Sequence, residues 1–321
     1  MRDGGNGTDD DTWTTGVRTL SVTLLVTVLM GAALLAWVAF GRPVPGLAKE
    51  PTFSNGTALT GKAKARGFDG GRAFALLRRQ VEVYGSRPAG SDASRRLGDE
   101  LVQKLPNGTF EPVPGGLRNI VGTLPGKGAP LVIGAHYDTE ASIPGHVGAN
   151  DGAAGTAAVV ELARSLKGVD RGKNAPPLRF VLFDGEEEPA GTAPEDFEKV
   201  ALRGSKVEAA RNPKAQAMIL LDYIAERRGL SIPREGNSDR AMWGRLRTAA
   251  AKVGAAKVFP SAKGPTIIDD HIPFVRRGIP SIDLIDFDYP QRDTLQDDMD
   301  HVSEASLDAV GETVVQLLRR W

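Results

Sequence analysis

The stretch RFVLFDGEEEP, Arg179–Pro189, decides how the rest of the chain is read. Phe180 to Phe183 is an unbroken apolar run, and Asp184, Gly185 and three adjacent glutamates follow at once. A short apolar run without alternation is the pattern of a strand buried on both faces, as in a mostly parallel sheet. Carboxylates beside such a strand repel one another and lose hydration unless something compensates. Three other runs have the same character: APLVIGA, AMILL and PSIDLI. Between them lie helical patterns, GTAAVVELARSL, DRAMWGRLRTAAAKVG and the closing SLDAVGETVVQLLRRW. Upstream, FDGGRAFALLRRQVEVYG reads as a helix, SRPAGSDA as a turn and SRRLGDELVQKL as a second helix. The expected class is α/β, a central, mainly parallel sheet flanked by helices on both faces.

Polar residues fall where such a fold gathers ligands, at the carboxyl ends of the strands. His136, Tyr137 and Asp138 follow one run; Asp184, Glu186 and Glu187 follow the next; Asp222 follows the third; Asp286, Asp288 and then Asp293 follow the last. Asp151 adds a further acid in the loop GHVGANDGAAGTAAVVEL, just before a helix. Singly, each has an ordinary reading. Asp151 would pass as a helix cap, and a lone histidine beside a strand as a hydrogen-bonded edge residue. Together they describe many acids converging without balancing Lys or Arg, a problem that a divalent cation removes. Nitrogen and oxygen ligands without thiolate suit catalytic zinc, and also manganese or cobalt. Successive side chains of an extended segment point opposite ways, so Glu186 and Glu187 need not share a task. One can bind metal while the other serves as general base beside a metal-activated water.

The chain has 321 residues with 40 basic and 40 acidic side chains, no cysteine and four histidines: His136, His146, His271 and His301. Balanced charge gives no basic face for nucleic acid. The lack of cysteine excludes disulfides, thiolate metal sites and a cysteine nucleophile. Residues 1–18 have the composition of a disordered tail, and residues 42–67 that of a linker. Thr19 to Gly41 contains no charge and is bracketed by Arg18 and Arg42. That is long enough for one transmembrane helix, and too long for an ordinary signal-peptide core. The expected arrangement is a short tail inside, a single span, and a folded catalytic domain over residues 68–321 outside the membrane.

In this order, GAHYDT, GANDGAAG, FDGEE, LLDYI and DDHIPFVRRGIP resemble the zinc aminopeptidase and glutaminyl cyclase family, metallopeptidase family 28. The resemblance runs from about Val81 to the C-terminus. It implies a mixed, mainly parallel sheet sandwiched by helices, one or two zinc ions, and a peptide substrate with a free N-terminus. It implies that His136 and Asp222 bind one metal, Asp151 bridges two, and Glu187 binds the other. By the same resemblance Glu186 is the general base, Asp138 orients the His136 imidazole, and Asp269 belongs to an acidic hydrogen-bond network found in the cyclases.

One position departs from the family. Its last ligand is a histidine in an aromatic-His-Thr sequence, and here that place holds Asp293, in RDT. Either Asp293 ligates metal through oxygen, or His301 reaches in, or one metal site is weakened or lost. The cyclases also wall their pocket with tryptophans, one of which is replaced here by Arg292. The first expectation is therefore an aminopeptidase-type hydrolase. A glutaminyl-peptide cyclotransferase is the alternative, and a metal-poor binding ectodomain the reading from a different class.

Overall fold

The computed structural model describes residues 67–321. The expected tail 1–18, the span 19–41 and all but Gly67 of the linker lie outside the described residues. A six-stranded sheet runs in the order β1-β2-β4-β3-β5-β6. The strands are β1 Thr109–Val113, β2 Leu117–Leu124, β3 Leu131–His136, β4 Leu178–Phe183, β5 Ala217–Asp222 and β6 Ser281–Ile285. The last four are mutually parallel, and β1 and β2 join them antiparallel through β2–β4. The sheet is thus mixed and mainly parallel. The four apolar runs are its parallel centre. The antiparallel pair did not stand out in the sequence, because β1 is TFEPV, mostly exposed and containing Pro112, and Asn119 interrupts β2. Asn119 is nevertheless buried. Its side chain donates to Gly204 O at 2.9 Å and accepts from Asp184 N at 3.2 Å, tying β2 to the end of β4.

The principal helices are α1 Gly70–Arg79, α2 Asp92–Val102, α3 Ala153–Leu166, α4 Arg203–Arg211, α5 Arg240–Val253 and α6 Glu304–Leu318. Alternate strand residues serve two cores. Leu131, Ile133, Phe180, Leu182, Ile219 and Leu221 face the larger one, shared with α1, α2, α3, α5 and α6. Val132, Val181, Phe183, Met218 and Leu220 face a thinner core, to which Ala209 of α4 and Phe274 contribute. The first helix differs from its sequence reading. It passes after Arg79 into a π-helical turn, Gln80–Tyr84, which carries the buried Gln80 amide to Ala153 O at 2.9 Å.

The contact that positions the site is that of α3 with the sheet. Its first turns are Ala, Gly and Thr, and a Cβ on Gly155 would stand 2.1 Å from Leu221 O and 2.9 Å from Ala135 Cβ. Thr156 Oγ1 donates to His136 O at 2.7 Å. The helix start is therefore pressed against the ends of β3 and β5, where His136 and Asp222 emerge.

One prediction follows from this packing and a second from a buried pair of acids. Gly155→Ala forces α3 away from a backbone carbonyl and is expected to destabilise the protein by about 1–3 kcal/mol in urea unfolding. A shift within experimental error would mean the helix can step back freely. The second concerns Glu226, buried beside Asp286. Burial first, and then the Asp286 carboxyl, push Glu226 up to about 9, while burial lifts Asp286 to about 6. A carboxyl whose folded pKa is raised holds its proton in the native state while the unfolded chain ionises. It therefore costs stability increasingly as pH rises from its unfolded value to its folded one. Glu226→Gln should leave stability unchanged near pH 4 and raise it progressively toward pH 9; a pH-independent effect would refute the assignment.

Candidate metal centre and active-site cleft

His136 ends β3 with its ring buried. Nε2 stands 3.0 Å from Asp151 Oδ1 and 3.5 Å from Asp222 Oδ1. Zinc takes nitrogen and oxygen donors at about 2.0–2.2 Å, so two donors on a tetrahedral ion sit about 3.3 Å apart. The three residues fit that spacing, and their ligand atoms all lie within 4.8 Å of one another. The electrostatics fit it as well. Burial lifts Asp222 to about 7 against the opposing pull of His136. Burial, reinforced by neighbouring carboxylates, raises Glu186 and Glu187 well above the usual range. A cation would reverse each of these shifts.

Asp151 does not cap α3, whose N-cap is Gly152. Its two oxygens face different imidazoles. Oδ1 meets His136, and Oδ2 lies 3.3 Å from His146 Nε2 and accepts from Tyr223 OH at 3.0 Å. Burial opposes ionisation of Asp151, but the hydrogen bonds from both histidines outweigh it and hold the carboxyl well below its ordinary value. Asp297 frames the loop from behind. Its Oδ1 accepts from Asn150 N at 2.8 Å and from Tyr289 OH at 3.0 Å, and its Oδ2 accepts from Asp151 N at 2.9 Å. Arg87, fully buried, donates to the carbonyls of Tyr137, Val147, Gly148 and Asp151. Burial lowers its pKa to about 10, so the guanidinium stays charged beneath the acids.

The two glutamates follow a turn at Gly185, whose φ of 76° and close contacts with Arg203 and Leu117 leave no room for a side chain. Asp138 Oδ1 accepts from Glu186 N at 3.3 Å and Oδ2 from Glu187 N at 3.2 Å. The same carboxylate stands 3.7 Å from His136 Nδ1. At that distance it acts on the ring as a charge, and its hydrogen bonds go to the glutamate amides. Asp138 therefore stands beside His136 without a hydrogen bond to its ring, and fixes the backbone that presents Glu186 and Glu187. Ligand atoms of both glutamates and His136 lie within 4.8 Å of one another.

Asp293 stands farther from this group. Its Oδ1 lies 3.3 Å from the Tyr223 hydroxyl, whose one proton it shares with the nearer Asp151, and its Oδ2 pairs with the Arg292 guanidinium at 2.8 Å. Arg292 in turn lies over the Phe287 ring, 4.1 Å from its centroid. His301 bonds Asp298 Oδ1 at 2.8 Å, in the turn before α6. Tyr223 follows Asp222 in the left-handed region, φ 45°, a strained position for a tyrosine, and this turn carries its hydroxyl to Asp151.

Arg87, His146, Tyr223 and Asp297 were not legible as site residues. The available signals were weak: a histidine five positions before Asp151, and an acid among the several of DTLQDDMD.

The cluster floors a cleft of about 460 Å³ whose lining includes Glu186, Glu187, Asp222, Tyr223, Asp269 and Asp293. Phe197, Ile267, Ile268, Ile285 and Phe287 line it as well. Asp269 Oδ2 is buried without a hydrogen-bond partner among the described residues. Behind Asp269 the buried His271 ring lies between Glu235 and Asp283, at 3.3 and 3.4 Å.

Asp297→Ala removes the acceptor of two loop amides and is expected to weaken zinc binding by about 10–100-fold, as loss of a group that orients a ligand does. Competition with a chromophoric chelator measures it. Unchanged affinity would show that the loop holds Asp151 without this carboxylate.

Residues 119–318 match Peptidase family M28. The glutaminyl-peptide cyclotransferase of Bos taurus is 30% identical over 281 residues, covering 71% of this chain and 75% of that protein. Aminopeptidase YwaD of Bacillus subtilis is 28% identical over 199 residues, covering 57% of this chain and 39% of the aminopeptidase. A solved leucine aminopeptidase precursor from Bacteroides thetaiotaomicron superposes with a TM-score of 0.70 at 26% identity, covering 81% of this chain and 99% of that one. Porphyromonas gingivalis glutaminyl cyclase superposes with a TM-score of 0.67 at 28% identity, covering 79% and 99%. The match extends from within β2 to the end of α6, across every strand end that brings an acid or imidazole to the cleft, and the chain belongs to peptidase family M28.

Proposed function

We propose that the protein cyclises N-terminal glutamine of peptides, releasing ammonia and leaving pyroglutamate. The observation that carries this reading is the placement of Asp269, a buried carboxyl with an unpartnered oxygen, in the same cleft as Glu186. Hydrolysis needs one acid–base carboxylate, whereas cyclisation moves a proton from the attacking amine to a leaving amide nitrogen. The cyclotransferase of Bos taurus, matched over three quarters of its length, supports the same choice over the hydrolase expected first from sequence.

His136, Asp222, Asp151 and Glu187 are the residues that would hold zinc. A bound ion would polarise the carbonyl of the glutamine side chain. The α-amino nitrogen attacks that carbon. Glu186 takes the proton from the amine and returns it to the departing nitrogen, which leaves as ammonia. Its carboxyl lines the cleft on a backbone held by Asp138, within reach of a group bound there. Asp269 accepts a hydrogen bond from the leaving nitrogen and holds it toward Glu186. The isoleucines and Phe287 cover the glutamine methylenes and exclude water.

A specific observation favours a second reading, aminopeptidase-type hydrolysis. The two oxygens of Asp151 face two imidazoles, an arrangement suited to a pair of cations. Glutaminyl-anilide separates the two. Cyclisation yields ammonia and pyroglutamyl-anilide, while hydrolysis yields free glutamine and the aniline. Release of aniline from several aminoacyl-anilides would overturn the first reading. A purified protein that takes up no zinc would favour the binding ectodomain instead.

Glu186→Gln is expected to lower turnover by about 10²–10⁴-fold or more with zinc content intact. Loss of zinc in that variant would make Glu186 a ligand rather than the base.

A further inference from the structure

We propose that the outer face of the helical layer rests on an anionic bilayer surface, with the groove between α5 and α6 seated on lipid phosphate groups. The inference does not depend on the cyclisation reading.

The chain's charges balance in total but not in placement. α1, α3, α5 and α6 pack over the larger core and present their other sides outward. α1 and α5 contain no acidic residue, and Glu161 of α3 is buried. Every charged side chain exposed on α1, α3 and α5 is Arg or Lys, and α6 is followed at once by exposed Arg319 and Arg320.

Two grooves cross this layer. The one between α1 and α3 is rimmed by Arg72, Arg79, Lys104 and Arg164. These cations are largely matched within the protein. Arg79 and Lys104 share Glu100, and Arg72 and Arg164 share Glu161, with Asp69 also beside Arg72. The groove between α5 and α6, of about 350 Å³, is different: Arg245, Lys252 and Arg320 line it and no acid does. None of the three forms an ion pair among the described residues. A Cβ on Gly244, in its wall, would meet nothing within 4 Å, so the groove is open there. Arg245 lies over the half-buried Trp321 ring, 4.1 Å from its centroid, and donates to Arg320 O at 3.4 Å. Cations that the protein leaves unmatched, beside a tryptophan, suit the headgroup level of a membrane, where the indole is interfacial and the cations meet phosphate.

The entry of the chain favours a bilayer over a soluble polyanion. The described chain begins at Gly67, whose amide donates to Glu312 Oε1 of α6 at 2.7 Å. A Cβ on Gly67 would stand 3.0 Å from Arg319 Nη2, so the chain joins this layer beside the cations that follow α6. Lys62, Lys64 and Arg66 come just before it in sequence, and farther upstream lies the uncharged run Thr19–Gly41, long enough to cross a bilayer. The cleft takes none of its lining from α1, α3, α5 or α6, so lipid against these helices leaves the substrate's path open.

The test uses the full chain in lipid nanodiscs and follows, by mass spectrometry, the rate at which a water-soluble reagent acylates Lys252. Lys199, with its side chain 78% exposed and two residues from Phe197 of the cleft lining, is the internal reference. With about 30% phosphatidylglycerol in phosphatidylcholine, Lys252 should react at least about threefold more slowly than in pure phosphatidylcholine, while Lys199 keeps its rate. The protection should fade in about 1 M salt, where the screening length falls to about 3 Å. Arg245→Gln combined with Arg320→Gln should remove at least about half of it. The lipid comparison on the wild-type chain stands whether or not that variant folds. The proposal is overturned if Lys252 reacts equally fast on both lipids, if Lys199 is slowed as much, or if the double variant is protected as wild type is. It is also overturned if, in detergent, inorganic phosphate or duplex DNA slows Lys252 as much as the anionic lipid does, which would make the groove a small-anion site or the face a nucleic-acid surface.

Discussion

Carboxylates buried beside one another must be met by positive charge or by protons, and the arrangement around Asp151 answers that requirement. Buried Arg87 contributes a full charge beneath the site, and it does so through carbonyls, which leaves the carboxylate oxygens free. Backbone amides contribute partial charge at one remove. Asp297 gathers the amides of Asn150 and Asp151, and Asp138 those of Glu186 and Glu187. Each of these acids spends its own acceptors on the backbone and so fixes the next acid in the cleft. What they do not do is neutralise the cleft itself. Asp222, Glu186, Glu187 and Asp269 all hold their protons more tightly than free carboxyls, because burial and like charge outweigh the histidines nearby. A cation would take the place of those protons, and the spacing around His136 Nε2 suits one.

The same constraint explains what could be read from the sequence. A parallel strand buried on both faces leaves an unbroken apolar run, so β3, β4, β5 and β6 were visible, and so were the acids that follow them. Strands that owe their place to a partner edge leave no such mark. β2 carries Asn119, which looks polar and exposed until its bonds to Gly204 and Asp184 are seen. Arg87 and Asp297 were hidden for a related reason. Each acts through backbone groups brought together only by folding, and local sequence does not record which carbonyls or amides will converge. Asp151 is the instructive intermediate case. Its position before a helix suggested a cap, but Gly152 takes that place and the carboxylate turns to three other partners.

Cyclisation and hydrolysis differ in what they ask of this cleft. A hydrolase must bring water to the substrate carbonyl, and an acid pocket open to solvent does so readily. A cyclase must keep water away from the same carbon while an amine from the same molecule reaches it. Under the proposed cyclisation, Ile267, Ile268, Ile285 and Phe287 on the cleft wall would meet the second demand. Arg292 laid over Phe287 extends the wall, in a place where the family's cyclases use tryptophan. A guanidinium stacked on a ring is flat and polarizable like an indole, though charged at its edge.

That edge charge bears on the departure at Asp293. An arginine beside the last ligand would repel a metal ion if left unpaired. Here it is paired, and the carboxylate that pairs it occupies the ligand position itself. Asp293 can neutralise Arg292 or bind a cation, but its oxygens cannot do both well, and the first role is the one its geometry supports. Arg292 and Asp293 thus form an ion pair on the rim of the cleft, the guanidinium stacked on Phe287 and the carboxylate beside the Tyr223 hydroxyl.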